Sequence, residues 1–153
     1  MSILVNTPWR NIKALSVGGT NASVLNNYYT ASTSTRLIVY SGTMPDPSVW
    51  NVSFNLATYA ANVLVGWTSF TLNRTNNTIG FGSTPATPAN ATGSGTATWC
   101  VLCYGPTSYT TGTTSEFVIG NPSLSGSNGL LQLNTLNIVA GSSITPINFS
   151  LLF

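Results

Sequence analysis

From Arg36 onward the chain reads as a series of short runs rich in β-branched and aromatic residues, separated by clusters of Gly, Pro, Ser and Asn. Such punctuation is the signature of strands joined by turns. The pattern predicts strands at 36–41, 63–73, 78–82, 95–104, 115–120, 130–139 and 143–152. In the last of these, Ile147, Phe149, Leu151 and Phe153 alternate with Asn148, Ser150 and Leu152. This is the period-two pattern of a strand with one buried face. The stretches 41–50, 82–95, 104–114 and 120–129 are turn and loop material. Segment 56–65, LATYAANVLV, is ambiguous, because its alanines would accept a short helix.

The first residues carry a different period. Thr7 can cap a helix, Pro8 suits its first position, Trp9, Ile12 and Leu15 recur at helical spacing, and Gly18-Gly19 ends it. So few apolar residues do not stabilise an isolated helix, which must dock on a sheet or a neighbouring subunit. Residues 20–35 read as a loop or extended arm, and no internal repeat of fixed period occurs. The expected fold is therefore all-β, an antiparallel β-sandwich or jelly roll with one short N-terminal helix or arm. Residues 1–35 form the helix and arm, and residues 36–153 the β-sandwich domain.

The aromatic residues divide along the same lines. Trp67, Phe70 and Trp99, with Leu72 beside them in sequence, fall in dense apolar runs and are expected in the core. Trp9, Tyr28, Tyr29 and Trp50 fall in the helix, arm and a loop, and are the candidate interface residues.

Composition sharpens this picture through charge. Only 4% of residues are charged, against about 25% in an ordinary soluble domain, while 42% are hydrophobic. The apolar content is enough to fold, and a chain of this length can bury a core without disulfides or metal. A surface with almost no charge suggests extensive cover by partners. The four basic residues, Arg10, Lys13, Arg36 and Arg74, are scattered, which argues against direct nucleic-acid binding. The N-terminus lacks the charged and apolar regions of a signal peptide, and no run approaches the ~18 apolar residues of a membrane span. No glycosylation is therefore expected at the Asn-x-Ser/Thr sites of Asn21, Asn51, Asn73, Asn76, Asn90 and Asn148.

Candidate chemistry is sparse. Histidine is absent, and Asp46 and Glu116 are the two side-chain carboxylates. Ser-His-Asp and Cys-His catalysis are excluded, and a glycosidase pair would have to be built from a residue in a turn and one opening a strand. Cys100 and Cys103 lie three apart in an apparent strand, so they point to opposite faces and are expected to be buried and reduced. Neither a zinc site nor a P-loop can be assembled. No enzymatic activity and no cofactor is expected. Asn, Thr and aromatic residues in loops leave a receptor or glycan-binding module as an alternative.

Three segments, RLIVYSGTMPDPS at 36–48, SGTATWCVL at 94–102 and GLLQLNTLNIVAGSSITPINFSLLF at 129–153, resemble a group of small virion proteins of tailed bacteriophages. In that group an N-terminal helical stretch precedes an "IYSGT-P" strand and turn, a "GTATWFRL" strand and a closing hairpin. Cys100 departs from the pattern, which has Phe there, and loop 82–95 is longer. The resemblance implies an all-β structural module without catalytic residues, acting as a capsid decoration or cement protein. Its implied partners are the major capsid protein and copies of itself, as a homo-oligomer such as a trimer. The implied location is the capsid exterior of the virion, after synthesis in the host cytoplasm. A tail or baseplate subunit is the alternative within the same class.

Overall fold

Leu37, Ile38, Val39 and Tyr40 are four consecutive residues, and each is fully buried. Successive side chains of a strand point to opposite faces, so the sheet that holds them must be covered on both sides. A computed structural model shows how, describing residues 4–5, 35–45, 54–68, 70–75, 78–83, 85–104, 108–114 and 116–152. The predicted N-terminal helix lies outside the described residues.

The first strands in chain order are β1 (Leu4–Val5), β2 (Thr35–Tyr40), β3 (Phe54–Asn55), β4 (Val63–Trp67), β5 (Leu72–Thr75) and β6 (Thr78–Phe81). Next come β7 (Ala89–Asn90), β8 (Gly95–Thr96), β9 (Trp99–Tyr104), β10 (Thr113–Thr114) and β11 (Glu116–Gly120). The last are β12 (Pro122–Leu124), β13 (Leu131–Leu133), β14 (Asn137–Ile138), β15 (Ser143–Ile144) and β16 (Pro146–Leu152). One 3-10 helix, Leu56–Asn62, lies among them. The fold is all-β.

Sheet I has the order β1-β11-β9-β2-β4, and sheet II the order β12-β13-β16-β6-β5. Both contribute to one apolar core. Leu37, Val39, Val65, Trp67, Cys100, Leu102 and Val118 from sheet I meet Leu72, Ile79, Leu131, Leu133, Phe149 and Leu151 from sheet II. The opposite face of sheet I carries a second core of Ile38, Tyr40, Val63, Trp99, Val101, Cys103, Phe117 and Ile119. Leu56 of the 3-10 helix completes it, with Met44, Tyr59 and Tyr109 packed alongside. This double cover explains the unbroken apolar run of β2.

The 3-10 helix begins where the Asn55 side chain accepts a hydrogen bond from the Ala57 N–H, 3.0 Å away. An N-cap acceptor of this kind satisfies a donor that has no partner inside the helix. The segment predicted as ambiguous, 56–65, thus divides into a helix that covers sheet I and the beginning of β4.

Several expected strands are divided or bent. The run 63–73 is two strands in different sheets, β4 and β5, with Phe70 buried at the crossover. The run 95–104 divides into β8 and β9, 130–139 into β13 and β14, and 143–152 into β15 and β16. Stretches expected to be loops contribute β7, β10 and β12. β12 pairs in parallel with β13, whereas the other ladders are antiparallel.

Two register shifts alter the alternation. Val39 pairs with Val65 but Tyr40 pairs with Val63, so Leu64 is the extra residue and joins Val65 in the core between the sheets. Gln132 pairs with Asn148 and Leu133 with Pro146, which leaves Ile147 unpaired and 44% exposed rather than in the buried row. One inserted residue turns the side chains beyond it to the other face.

Candidate assembly surface

Sheet II buries one face and leaves the other polar. Along β16, Phe149 and Leu151 point into the core, while Asn148 is exposed and Ser150 half-buried. Strand pairing aligns these outward positions into rows: Ser123, Gln132 and Asn148 form one, and Ser150, Gly80 and Asn73 the next. Gln132 Nε2 donates to the Ser127 carbonyl at 2.8 Å, and Ser123 Oγ to the same oxygen at 3.3 Å. These two bonds hold the loop after β12 against the edge of the face. Leu124 and Ile147 are exposed large apolar residues of the same sheet.

A second surface is built where β14 pairs with β8 and β15 with β7. The turn between β14 and β15 is closed by the Ser142 N–H on the Val139 carbonyl, 2.9 Å, and by the Gly141 N–H on the Ala91 carbonyl, 2.8 Å. Gly141 has φ 83°, a left-handed conformation that suits glycine. The Ser94 hydroxyl accepts from the Ala140 N–H at 2.9 Å. Val139 therefore stands 64% exposed on a turn held from two sides.

These surfaces share one electrostatic property. Among the residues whose side chains are described, Arg36 is the one Lys, Arg, Asp or Glu, and it is buried. Its Nη1 donates to the Thr35 carbonyl at 3.0 Å. The described exterior is thus made of amides, hydroxyls and isolated apolar side chains.

Trp9, Tyr28, Tyr29 and Trp50 lie outside the described residues. Trp67, Phe70, Leu72 and Trp99 are buried, as expected. Two aromatic residues that the sequence did not single out shape the accessible side of sheet I. Tyr59, on the 3-10 helix, stands edge-on to Trp99 with centroids 5.2 Å apart. Tyr109 lies over Gly66, where any Cβ would meet its ring. The signal for that contact was a glycine inside the apolar run VLVGW, since glycine in a strand often marks a close approach. Beside Tyr109 is a recess of about 180 Å³ lined by Gly66, Trp67, Thr68, Thr87 and Ala89. The Trp67 indole N–H is sealed from solvent and has no hydrogen-bond partner among the described residues, so it does not offer a donor to the recess.

Cys100 and Cys103 are free and buried, on opposite faces of β9. Burial pushes both thiols up, because a thiolate would lose its hydration. The Gly120 carbonyl, 3.4 Å from Cys100 Sγ, accepts its weak hydrogen bond. Cys103 is pushed up to about 12 by burial, with Arg36 acting weakly in the opposite sense. At pH 8 the thiolate fraction of Cys103 is then roughly a thousandfold below that of a free cysteine. The folded chain is expected to resist maleimide at pH 8 and to take up two equivalents once unfolded in urea. Rapid labelling of the native protein would show that β9 is accessible. Among the described residues no group of three or more His, Cys, Asp or Glu is placed to hold a metal, and no helix is long and apolar enough to cross a membrane. No family model, curated protein or solved structure matches the chain.

Proposed function

We propose that this chain is a structural subunit of a bacteriophage virion, a decoration or cement protein that stabilises the capsid shell by packing against the major capsid protein and copies of itself. The observation that carries this reading is the described exterior without exposed charge: rows of Ser, Asn and Gln on sheet II with exposed Leu124 and Ile147, and exposed Val139 on the turn between β14 and β15. Long-lived interfaces deplete charge in their cores, whereas freely diffusing domains rely on it for solubility. The motif likeness at 36–48, 94–102 and 129–153 supports the same reading.

The mechanism is mass action. A subunit that binds the assembled shell and not its opened form stabilises the shell by its differential binding energy, repeated over many copies. Amide and hydroxyl rows supply hydrogen bonds without the desolvation cost of charges, and the scattered apolar residues supply contact area.

The test is electron microscopy of particles with and without the protein, followed by heat and low-salt challenge. Density on the capsid exterior, with earlier genome release in its absence, is the expected result. Density confined to the tail with unchanged capsid stability would replace the cement role by a tail or baseplate role. The recess beside Tyr109 favours a second reading, a glycan-binding module, because an aromatic ring beside Thr68 and Thr87 can stack on and hydrogen-bond a sugar. Glycan-array binding that Tyr109→Ala abolishes would support that reading.

A further inference from the structure

Strand β11 lies second from one edge of sheet I, yet Phe117, Val118 and Ile119 are buried on both its faces. Among the described residues its outer edge is completed by β1, through the pairs Leu4↔Ile119 and Val5↔Val118. Among the described residues this ladder has two residues, below the usual three to ten of a strand, and they come from the opposite end of the sequence.

The connection between β1 and β2 is far longer than the geometry needs. β1 runs antiparallel to β11, and Val5 leads toward the Glu116 end of that strand. Thr35 begins β2 at the same end, because Thr35 pairs with Tyr104 and Tyr104 with Glu116. Three strand spacings separate β1 from β2, on the order of 14 Å. Residues 6–34 can reach roughly 100 Å when extended. A short loop would serve if β1 only had to return to its own sheet.

We propose that the edge of β11 is an acceptor site for the Leu4–Val5 strand of a second copy of this chain, so that assembled subunits exchange N-terminal strands. The proposal rests on the reading of the chain as an assembly subunit. Exchange replaces each internal ladder by an identical external one, so its local energy is nearly neutral. Neighbours held in an assembly present their arms at high effective concentration, and each exchanged strand then ties two copies together. The edge is filled in either state, which also protects an otherwise open template for aggregation.

The experiment uses two full-length variants, Leu4→Cys and Ile119→Cys, assembled together and oxidised. Cys100 and Cys103 are buried and stay silent. The expected result is a disulfide-linked heterodimer in which mass spectrometry places the bridge between positions 4 and 119 of different chains. A chain carrying both substitutions reports whether the pairing forms at all, and Val5→Cys with Val118→Cys repeats the test should Ile119→Cys lower folding. A bridge formed only within the doubly substituted chain, or no bridge in either pair, overturns the proposal. Particle binding is scored separately: particles decorated without a heterodimer refute exchange alone, whereas a heterodimer with no particle binding refutes the virion role and leaves exchange standing.

Discussion

Replacing Trp99 by alanine is expected to cost about 3–5 kcal/mol, the range for truncating a large buried aromatic, read as a lower urea midpoint at unchanged slope. Trp99 is fully buried on the outer face of sheet I. It stacks on Tyr40 with ring centroids 4.1 Å apart and planes 9° from parallel, and meets Tyr59 edge-on. Its Nε1 donates to the Ser41 carbonyl at 3.2 Å, which ties the chain leaving β2 to β9. Alanine removes the packing between the sheet and the 3-10 helix and leaves that carbonyl without this donor. A domain whose total stability is about 5–15 kcal/mol loses a large share of it. Trp99→Phe is expected to cost less, about 1–3 kcal/mol, because it keeps an aromatic face against Tyr40 while losing the N–H and the part of the ring that carries it. A loss below about 1 kcal/mol for Trp99→Ala would mean that the cluster does not hold the helix against the sheet.

How much of this was legible in the sequence depends on what each signal encodes. β2 could be read because LIVY, residues 37–40, is apolar without interruption, and its burial on both faces follows from that run. The opposed faces of Cys100 and Cys103 followed from strand geometry alone. The division of 63–73 was not legible. Both halves are apolar, and nothing in periodicity marks the stretch between β4 and β5 as the point where the chain leaves one sheet for the other. The exposure of Ile147 was hidden for a related reason: the sequence sets Ile147 and Phe149 on either side of polar Asn148, and the bulge that ejects Ile147 from the buried row is set by the pairing of Gln132 with Asn148 and of Leu133 with Pro146. The stretch 120–129 reads as a loop because Gly, Ser and Asn dominate it, yet within it the parallel β13 supplies the partner that makes β12 a strand. Of the candidate surface, the lack of charge could be read from composition, whereas its rows of amides and hydroxyls depend on a register that joins five separate segments.

The same poverty of ionisable groups leads to an expected pH profile: stability nearly level from pH 5 to 8 and falling steeply above pH 9. Histidine is absent and the chain has two side-chain carboxylates, so few groups change charge in the neutral range. Among the described residues three buried groups govern the alkaline side. Burial raises Cys100 and Cys103 from an ordinary value of about 9, and raises Tyr40 from about 10, with Cys103 and Tyr59 adding to the shift of Tyr40. All three are neutral when protonated, and their folded values lie above their unfolded ones. Below pH 9 they are protonated in both states and add no slope. Above it the unfolded chain releases protons that the folded chain retains, so stability falls as pH rises. Each group contributes up to about 1.4 kcal/mol per pH unit until its folded value is reached. Between pH 9 and 11 the combined loss is on the order of 5 kcal/mol, measurable as a fall in the urea midpoint. The Cys100→Ala, Cys103→Ala double variant should lose most of that slope and keep a weaker decline beginning near pH 10, carried by Tyr40 with Tyr59, which burial also raises, adding to it. A wild-type profile that stays level to pH 11 would show that these thiols and the Tyr40 hydroxyl ionise as readily in the folded chain as in the unfolded one, and so are not shut away from water on the two faces of sheet I.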